Sequence, residues 1–199
     1  MDTNFTELFT RHSIWIDSEG EHCEQLVLEN SDIALLSGEQ LKLLIDSVLS
    51  DCKFADISLI DKEFFHTEMY SCDFRNVTFI NTLFTKSEIN DTQFTSTRFT
   101  KSNFSNSELF DCDFSECVFE GSSFINAGFW NSRFHECTFT DIDFESAYFE
   151  NIGLSDVRFI NPINLTKVKK LIINVGTEIE PRLLSAEASI NWIMEHCIS

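Results

Sequence analysis

A large apolar residue occupies every fifth position of this chain from Phe54 to Phe159, without a gap. The series has twenty-two members, seventeen of them Phe: Phe54, Leu59, Phe64, Met69, Phe74, Phe79, Phe84, Ile89, Phe94, Phe99, Phe104, Leu109, Phe114, Phe119, Phe124, Phe129, Phe134, Phe139, Phe144, Phe149, Leu154 and Phe159. Few folds tolerate so strict a period over about half of a chain. This series therefore restricts the architecture more than any other feature of the sequence.

A second series of mostly small residues stands two positions before the large ones. Its small members are Cys52, Thr67, Cys72, Thr82, Ser87, Thr92, Thr97, Ser102, Ser107, Cys112, Cys117, Ser122, Ala127, Ser132, Cys137 and Ala147. In extended chain, side chains two positions apart point to the same face. Each five-residue unit therefore directs one small and one large side chain inward.

The odd period excludes both a straight strand and a helix. A shift of five residues reverses the face in a strand, and it rotates a helix about 140° beyond a full turn. The chain must therefore turn once in every unit. Asp or Asn often stands two residues after the large residue, as at Asp56, Asn76 and Asp91. These residues satisfy local backbone groups and tolerate left-handed dihedrals, so they predict a corner there.

The repeated units, such as Phe114-Ser-Glu-Cys-Val-Phe119, resemble those of the pentapeptide-repeat family. The resemblance covers residues 52–161 and implies an all-β solenoid, a right-handed quadrilateral β-helix with four units to a coil. Twenty-two units then make five and a half coils, in which residues twenty apart stack. One core ladder is expected to contain Phe74, Phe94, Phe114 and Phe134.

Residues 1–51 are expected to form an N-terminal cap on the solenoid. Residues 13–28 predict a short hairpin with its turn at Gly20, and Asn30 to Ile33 already resembles a repeat unit. Ser37 to Gln40 resembles a capping box, which favours a helix over about 38–49. The alternative is an irregular first coil, because Asp46 to Leu49 also fits the repeat.

Residues 162–199 are expected to form the C-terminal cap, since the period is lost after Pro162. Lys170 to Val175 predicts a strand, and Ser185 to Cys197 predicts a helix. Ile190, Ile193 and Met194 share one face of that helix, and Trp192 is its other large apolar residue. These residues either cover the last coil or, as in some members of the family, form a two-fold homodimer.

The composition and motifs of the chain indicate its cellular compartment and the kinds of chemistry it can support. Five of the seven cysteines fall in the small inward series, which predicts buried, reduced thiols. Neither a signal peptide nor a membrane span is recognisable, so we expect a cytoplasmic protein. The five histidines are scattered, and no Gly-rich phosphate loop or nucleophile–base spacing occurs. The sequence therefore predicts no enzyme, no cofactor and no metal site.

The chain is strongly acidic, with 33 Asp and Glu against 14 Lys and Arg and a formal net charge of −19. Such a surface repels the phosphates of a nucleic acid, so direct binding to DNA or RNA is not expected. Two explanations remain open. The charge keeps a Phe-rich solenoid in solution, or it fits a protein partner with a basic groove.

Stacking residues twenty apart predicts a candidate partner-binding surface on one side of the column. It combines a column of acids, two further acids at the adjoining corner, and outward aromatic residues, which are favoured anchors in interfaces. These residues are Glu68, Glu88, Glu108, Asp91, Asp111, Tyr70, Phe110 and Trp130. The alternative is that a cap or a dimer mate covers the aromatic residues.

The resemblance also implies a function. Several acidic pentapeptide-repeat proteins of similar length protect DNA gyrase from quinolones or natural gyrase poisons, and are thought to imitate duplex DNA. This chain is similar to them in net charge, Phe-rich repeats and a short C-terminal cap, which implies an acidic DNA mimic that confers antibiotic or toxin resistance. The alternative is a protein-interaction scaffold or effector module unrelated to topoisomerases.

Overall fold

The chain winds into a column of parallel coils in which residues twenty apart lie above one another, as in the pairing of Phe54 with Phe74. The computed structural model describes residues 5–177 and 179–197. The column has about seven turns and four sides, each named here after one of its inward residues: the Met69, Phe74, Phe79 and Phe84 sides.

Three of the four sides are built from short strands, mostly of three residues. The Met69 side contains β1 (Val27–Glu29), β2 (Val48–Ser50), β5 (Glu68–Tyr70), β8 (Glu88–Asn90), β11 (Glu108–Phe110), β14 (Gly128–Trp130), the start of β17 (Tyr148–Ser155) and β19 (Lys170–Asn174). The Phe74 side contains β3 (Lys53–Ala55), β6 (Asp73–Arg75), β9 (Gln93–Thr95), β12 (Asp113–Ser115), β15 (Arg133–His135) and the end of β17. The Phe79 side contains β4 (Ser58–Ile60), β7 (Thr78–Ile80), β10 (Arg98–Thr100), β13 (Val118–Glu120), β16 (Thr138–Thr140) and β18 (Arg158–Ile160).

The Phe84 side is a series of tight turns joined by single bridges, such as Leu83 with Asn103. Here the carbonyl of the inward residue accepts the amide N–H three residues later, as in Ser87 N–H to Phe84 O at 3.1 Å. All four sides also make hydrogen bonds between coils, for example Phe84 N–H to Asn103 O at 2.8 Å on this side and Asp73 N–H to Cys52 O at 2.9 Å on a strand side.

The corners have one backbone conformation. From Asp46 to Asn161 every fifth residue has a positive φ, between 49° and 60°. Asp and Asn hold many of these positions, as the sequence predicts, but Lys101 (52°) and Glu136 (53°) adopt the same conformation. Since the left-handed region costs most other residues about 1–2 kcal/mol, the coil imposes this turn even where the local sequence does not favour it.

The interior of the column consists of stacked rings. Phe114 is 1% exposed and lies between Phe94 and Phe134, with both centroid distances at 4.6 Å. That distance matches the spacing of about 4.8 Å between neighbouring parallel strands. Rings from adjacent sides meet edge to face, as Phe114 does with Phe119 at 5.7 Å. The predicted core ladder is confirmed.

The small inward residues fill the corners of the interior and satisfy backbone carbonyls. Thr67 Oγ1 donates to Leu44 O at 2.7 Å, and Cys112 Sγ lies 3.4 Å from Ile89 O. All five cysteines of this series are buried and free, as predicted. Burial raises the pKa of Cys112 to about 12, so its thiol stays protonated at neutral pH.

The N-terminal segment differs from the prediction in three respects. The hairpin expected over residues 13–28 is wrong, because α1 (Phe5–Asp17) is a helix that buries Phe9 and His12 against the first coil. The helix expected over 38–49 is wrong, because the capping box at Ser37 and Gln40 starts only a 3₁₀ turn, Gln40–Leu43. The coil also begins before residue 52, since Val27 pairs with Val48.

The irregular first coil is thus the correct alternative for residues 38–49. Its pairing offset is twenty-one residues instead of twenty, as in Leu28 with Leu49. The extra residue lies between Ile33 and Leu44, where the 3₁₀ turns Ile33–Leu35 and Gln40–Leu43 occur. Together with β19, this coil raises the count from the expected five and a half turns to about seven.

The C-terminal segment covers the last coil. After a 3₁₀ turn (Leu165–Lys167), β19 continues the ladder of β17, and β20 (Leu183–Ser185) pairs antiparallel with β19. Helix α2 (Glu187–Glu195) then places Ile193, 4% exposed, on the apolar end of the column. Within the described residues, both helices fall short of the length and apolarity that a bilayer span requires.

Replacing Phe114 with Ala tests the stacked core. We expect the free energy of unfolding to fall by about 3–5 kcal/mol, because the change leaves a ring-sized cavity between two rungs. Urea denaturation measures this loss. The exposed Gln93→Ala variant is the control, for which a change within about 0.5 kcal/mol is expected. Equal small changes in both variants would contradict the inward stacking.

Replacing Lys101 with Asn tests the corner. Lys101 has a φ of 52°, and its corner neighbour Asn81 has 51°, so Asn fits the same conformation with less strain. We expect the free energy of unfolding to rise by about 0.5–1 kcal/mol. Lys53→Asn, on a strand, is the control and should show no such gain. A lower free energy of unfolding for Lys101→Asn than for the wild-type protein would contradict the argument that Lys101 is strained.

The buried His12 predicts a pH dependence of the N-terminal cap. Its Nδ1 accepts the Leu26 N–H at 3.0 Å, and its Nε2 lies 2.8 Å from Ile45 O, so the neutral ring is held with its proton on Nε2. Burial lowers the pKa of His12, against smaller raising effects from Ile45 O and Asp46. A second proton would bind at Nδ1 and point at the Leu26 N–H, so protonation breaks this hydrogen bond.

Because the folded pKa lies below the unfolded value, the stability contributed by His12 is complete above about pH 6.5 and is lost as the pH falls below that value. The slope is at most about 1.4 kcal/mol per pH unit for one proton. Urea denaturation of wild type and His12→Gln between pH 7.5 and 5.5 measures it. Parallel curves for the two proteins would refute this role of His12.

Candidate functional site

The outward residues of the Met69 side form columns in strict register. The column on the N-terminal flank of each strand contains Glu68, Glu88, Glu108, Gly128 and Tyr148. The column on the C-terminal flank contains Tyr70, Asn90, Phe110, Trp130 and Glu150. The structure therefore brings together the acids and aromatic residues that the repeat register predicts.

The glutamates of this column differ in their hydrogen bonds. Tyr70 Oη donates to Glu68 Oε2 at 2.8 Å, and Asn90 Nδ2 donates to Glu88 Oε1 at 2.9 Å. The bond to Glu68, with some desolvation, raises the pKa of Tyr70 to about 12. Glu108 has no such donor, because Phe110 stands where Tyr70 and Asn90 stand on the earlier rungs.

The outward aromatic residues cover one another. The rings of Phe110 and Trp130 are stacked, with centroids 4.5 Å apart and planes inclined by 13°. Both residues are half-buried. The Trp130 ring extends over Gly128, where a Cβ would overlap the ring. A side chain at position 128 would therefore displace Trp130.

The adjoining corner adds stacked polar residues to this surface. Asp91 and Asp111 lie on successive rungs and are exposed, and Ser71 Oγ donates to Asp91 Oδ2 at 3.2 Å. Further along the column, Asn151 Nδ2 donates to Asn131 Oδ1 at 3.0 Å. The corner therefore changes from acidic to neutral toward the C-terminal end.

Two lysines of the C-terminal segment reach this surface, which sequence reasoning missed. Lys170 Nζ lies 2.7 Å from Glu150 Oε1. Lys169 Nζ lies 3.2 Å from Asn126 Oδ1 and 5.5 Å from the centroid of the Tyr148 ring. In the described chain between Val27 and Asn151, the outward positions of the Met69 side and its corner toward the Phe74 side carry no basic residue, whereas Lys86 stands at the opposite corner. The negative charge is thus concentrated in the N-terminal two thirds of this side.

The four residues singled out in the terminal helix have different environments. Ile193 is buried, and Ile190 and Trp192 are partly buried against the core, so they act as a cap. Met194 is 55% exposed, so it does not contribute to the cap. The Trp192 ring stacks on His196 at 3.8 Å instead of lying in the interior.

Two histidines outside this surface each pair with a residue of a neighbouring coil. His66 Nδ1 lies 3.2 Å from Asp46 Oδ1, and His135 Nδ1 lies 2.9 Å from Ser155 Oγ. In residues 5–177 and 179–197, no three His, Cys, Asp or Glu side chains are grouped as ligands for a metal ion.

Comparisons with known proteins agree with the coil. A family model described as pentapeptide repeats matches residues 102–141 and 112–151. No curated protein matches the chain.

Several solved structures are similar to this chain. A pentapeptide-repeat protein from the cyanobacterium Cyanothece 51142 is 10% identical, with a TM-score of 0.49 over 58% of this chain and 90% of that one. One from the Arabidopsis thaliana thylakoid lumen is 18% identical, with a TM-score of 0.45 over 47% and 65%. QnrB1, a plasmid-mediated fluoroquinolone resistance protein, is 12% identical, with a TM-score of 0.34 over 67% and 84%.

The five-residue period and the coil continue on both sides of the residues that the family model matches. Residues 102–151 of this chain carry the repeats of the pentapeptide-repeat family.

Proposed function

We propose that this protein is a non-enzymatic binding protein whose acidic Met69 side occupies the basic groove of a protein partner in the manner of duplex DNA. DNA gyrase is the candidate partner, and resistance to a gyrase poison is the expected outcome. One observation carries the proposal: six carboxylates lie on four successive rungs of one side. They belong to Asp51, Glu68, Glu88, Asp91, Glu108 and Asp111.

The density of these charges supports mimicry. At about 4.8 Å per rung, four rungs span about 19 Å and give one carboxylate per about 3.2 Å. One strand of B-DNA carries a phosphate every 3.4 Å or so along its axis. A groove that accepts a phosphate backbone therefore meets a similar line of negative charge on this side.

The rigidity of the column is a second support. Each of the three outward glutamates precedes a fully buried apolar residue of the Met69 side, and Glu68 and Glu88 accept hydrogen bonds from Tyr70 and Asn90 at 2.8 and 2.9 Å. A surface that is already ordered loses little conformational entropy on binding. Charges in such an array also attract a basic groove from a distance and accelerate association.

The alternative function is a scaffold for a partner unrelated to topoisomerases. Outward apolar residues on other sides favour it, namely Ile60, 49% exposed, and Leu83, 36% exposed. A partner that uses them would bind through apolar contact and would depend little on salt.

Charge reversal on the Met69 side separates these functions. We expect the wild-type protein to inhibit gyrase supercoiling, or to protect gyrase from a quinolone, and we expect Glu88→Lys/Glu108→Lys to lose the effect. The reversal replaces attraction to a basic groove with repulsion. A supercoiling assay at several salt concentrations measures this, and the wild-type effect should weaken steeply between 50 and 200 mM salt, which are roughly the concentrations over which phosphate-like contacts are screened.

The matched control is Glu116→Lys/Glu136→Lys, which reverses two stacked, exposed carboxylates at another corner of the column. It changes the net charge equally, so it should retain most of the effect. Equal losses in both variants would show that total charge matters and the Met69 side does not. No effect of wild-type protein at micromolar concentration would favour the scaffold.

A further inference from the structure

A notch interrupts the Met69 side where Gly128 contributes no side chain to the outward column. Glu108 lies on the rung below it and Tyr148 on the rung above. The Trp130 ring lies over Gly128 and fills the space between these two rungs, so the notch is the open space beside that ring. The notch is lined by Asn106, Glu108, Asn126, Gly128, Trp130 and Tyr148.

The carboxylate of Glu108 is available to a ligand. In the part of the chain that the structure describes, it accepts no hydrogen bond and forms no ion pair, unlike Glu68 and Glu88. Glu108 is exposed and borders the notch. The side-chain amides of Asn106 and Asn126 add oxygen acceptors at the same edge. The notch therefore offers acceptors to a donor-rich group.

The opposite wall offers an aromatic face. Tyr148 is 38% exposed, and Trp130 is fixed by its stacking on Phe110. An aromatic face attracts a cation within about 6 Å of its centroid. A carboxylate below and aromatic rings above form a site for a positively charged group.

A cation of the chain itself contacts two of the residues that line the notch. Lys169 Nζ is 5.5 Å from the Tyr148 centroid and 3.2 Å from the Oδ1 of Asn126. It comes from the C-terminal segment, forty-three residues away from Asn126. These contacts show that the Tyr148 ring and the Asn126 oxygen, which border the notch, accept a cation.

We propose that the Gly128 notch binds an arginine side chain of the protein partner, which displaces the Lys169 ammonium. A guanidinium is planar, stacks on aromatic rings, and presents forked donors that suit a carboxylate and amide oxygens together, whereas an ammonium is a compact and strongly hydrated point charge. The inference rests on the proposed function, because it names the residue type through which a basic partner is recognised on the same side.

The test compares two labelled peptides of equal charge, nona-arginine and nona-lysine, by fluorescence anisotropy with the full-length protein at fixed salt. We expect wild-type protein to bind nona-arginine about fivefold to tenfold more tightly, the size of one cation–π contact. Glu108→Gln and Tyr148→Leu should remove most of that preference. Lys169→Met should strengthen binding of nona-arginine, since the resident cation is gone.

The matched control is Glu88→Gln, which removes one charge from the same column, one rung away from Glu108. It should weaken both peptides equally and keep the preference for arginine. If the preference for nona-arginine falls equally in Glu88→Gln and Glu108→Gln, the proposed arginine site at the notch is wrong. Equal binding of both peptides by wild-type protein, or no binding of either, would also contradict it. The two proposals can also fail separately. If the protein prefers arginine through the notch but has no effect on gyrase, the proposed function is refuted and the arginine site is still supported.

Discussion

Stacking of equivalent residues along the column axis is the interaction on which the rest of the structure depends. The Phe rings repeat at about the spacing of parallel strands, so each rung satisfies ring packing and backbone hydrogen bonding at once. The chain reaches this arrangement only by turning through a left-handed residue in every unit. The energetic preference for stacking exceeds the local cost of the turn, because Lys101 and Glu136 accept the same dihedrals as Asp and Asn.

The same register that stabilises the interior imposes a cost on the surface. Outward residues twenty apart also stack, so acids that recur in the sequence become neighbours about 4.8 Å apart. At that distance two like charges in water repel by about 1 kcal/mol. Tyr70 and Asn90 offset part of this repulsion at Glu68 and Glu88 by donating hydrogen bonds, whereas Asp91 and Asp111 stack without an amide between them. A positively charged partner would remove the remaining repulsion.

The sequence is sufficient to predict the column, its core ladders and its outward columns, because all of these follow from one period. The sequence is insufficient where a segment contacts residues that do not follow the five-residue period. The N-terminal helix forms because Phe9 and His12 pack against the first coil. The capping box at Ser37 and Gln40 does not start an α-helix, because the pairing of Val48 with Val27 favours a strand there. A local sequence signal for a helix has little effect when the same residues can instead form a strand that completes a turn of the column.

Within the candidate site, register predicts which residues share a face but not which of them remain without partners. Glu68, Glu88 and Glu108 hold the same position of the repeat, and the residue two positions later decides which of them accepts a hydrogen bond. The lysines that reach the surface come from beyond the repeats, so no periodic rule places them. Specific recognition on a repetitive surface must come from such departures, because identical rungs would let a partner bind in several registers. Gly128, which breaks the outward column once, gives this side of the column a single distinguishable position.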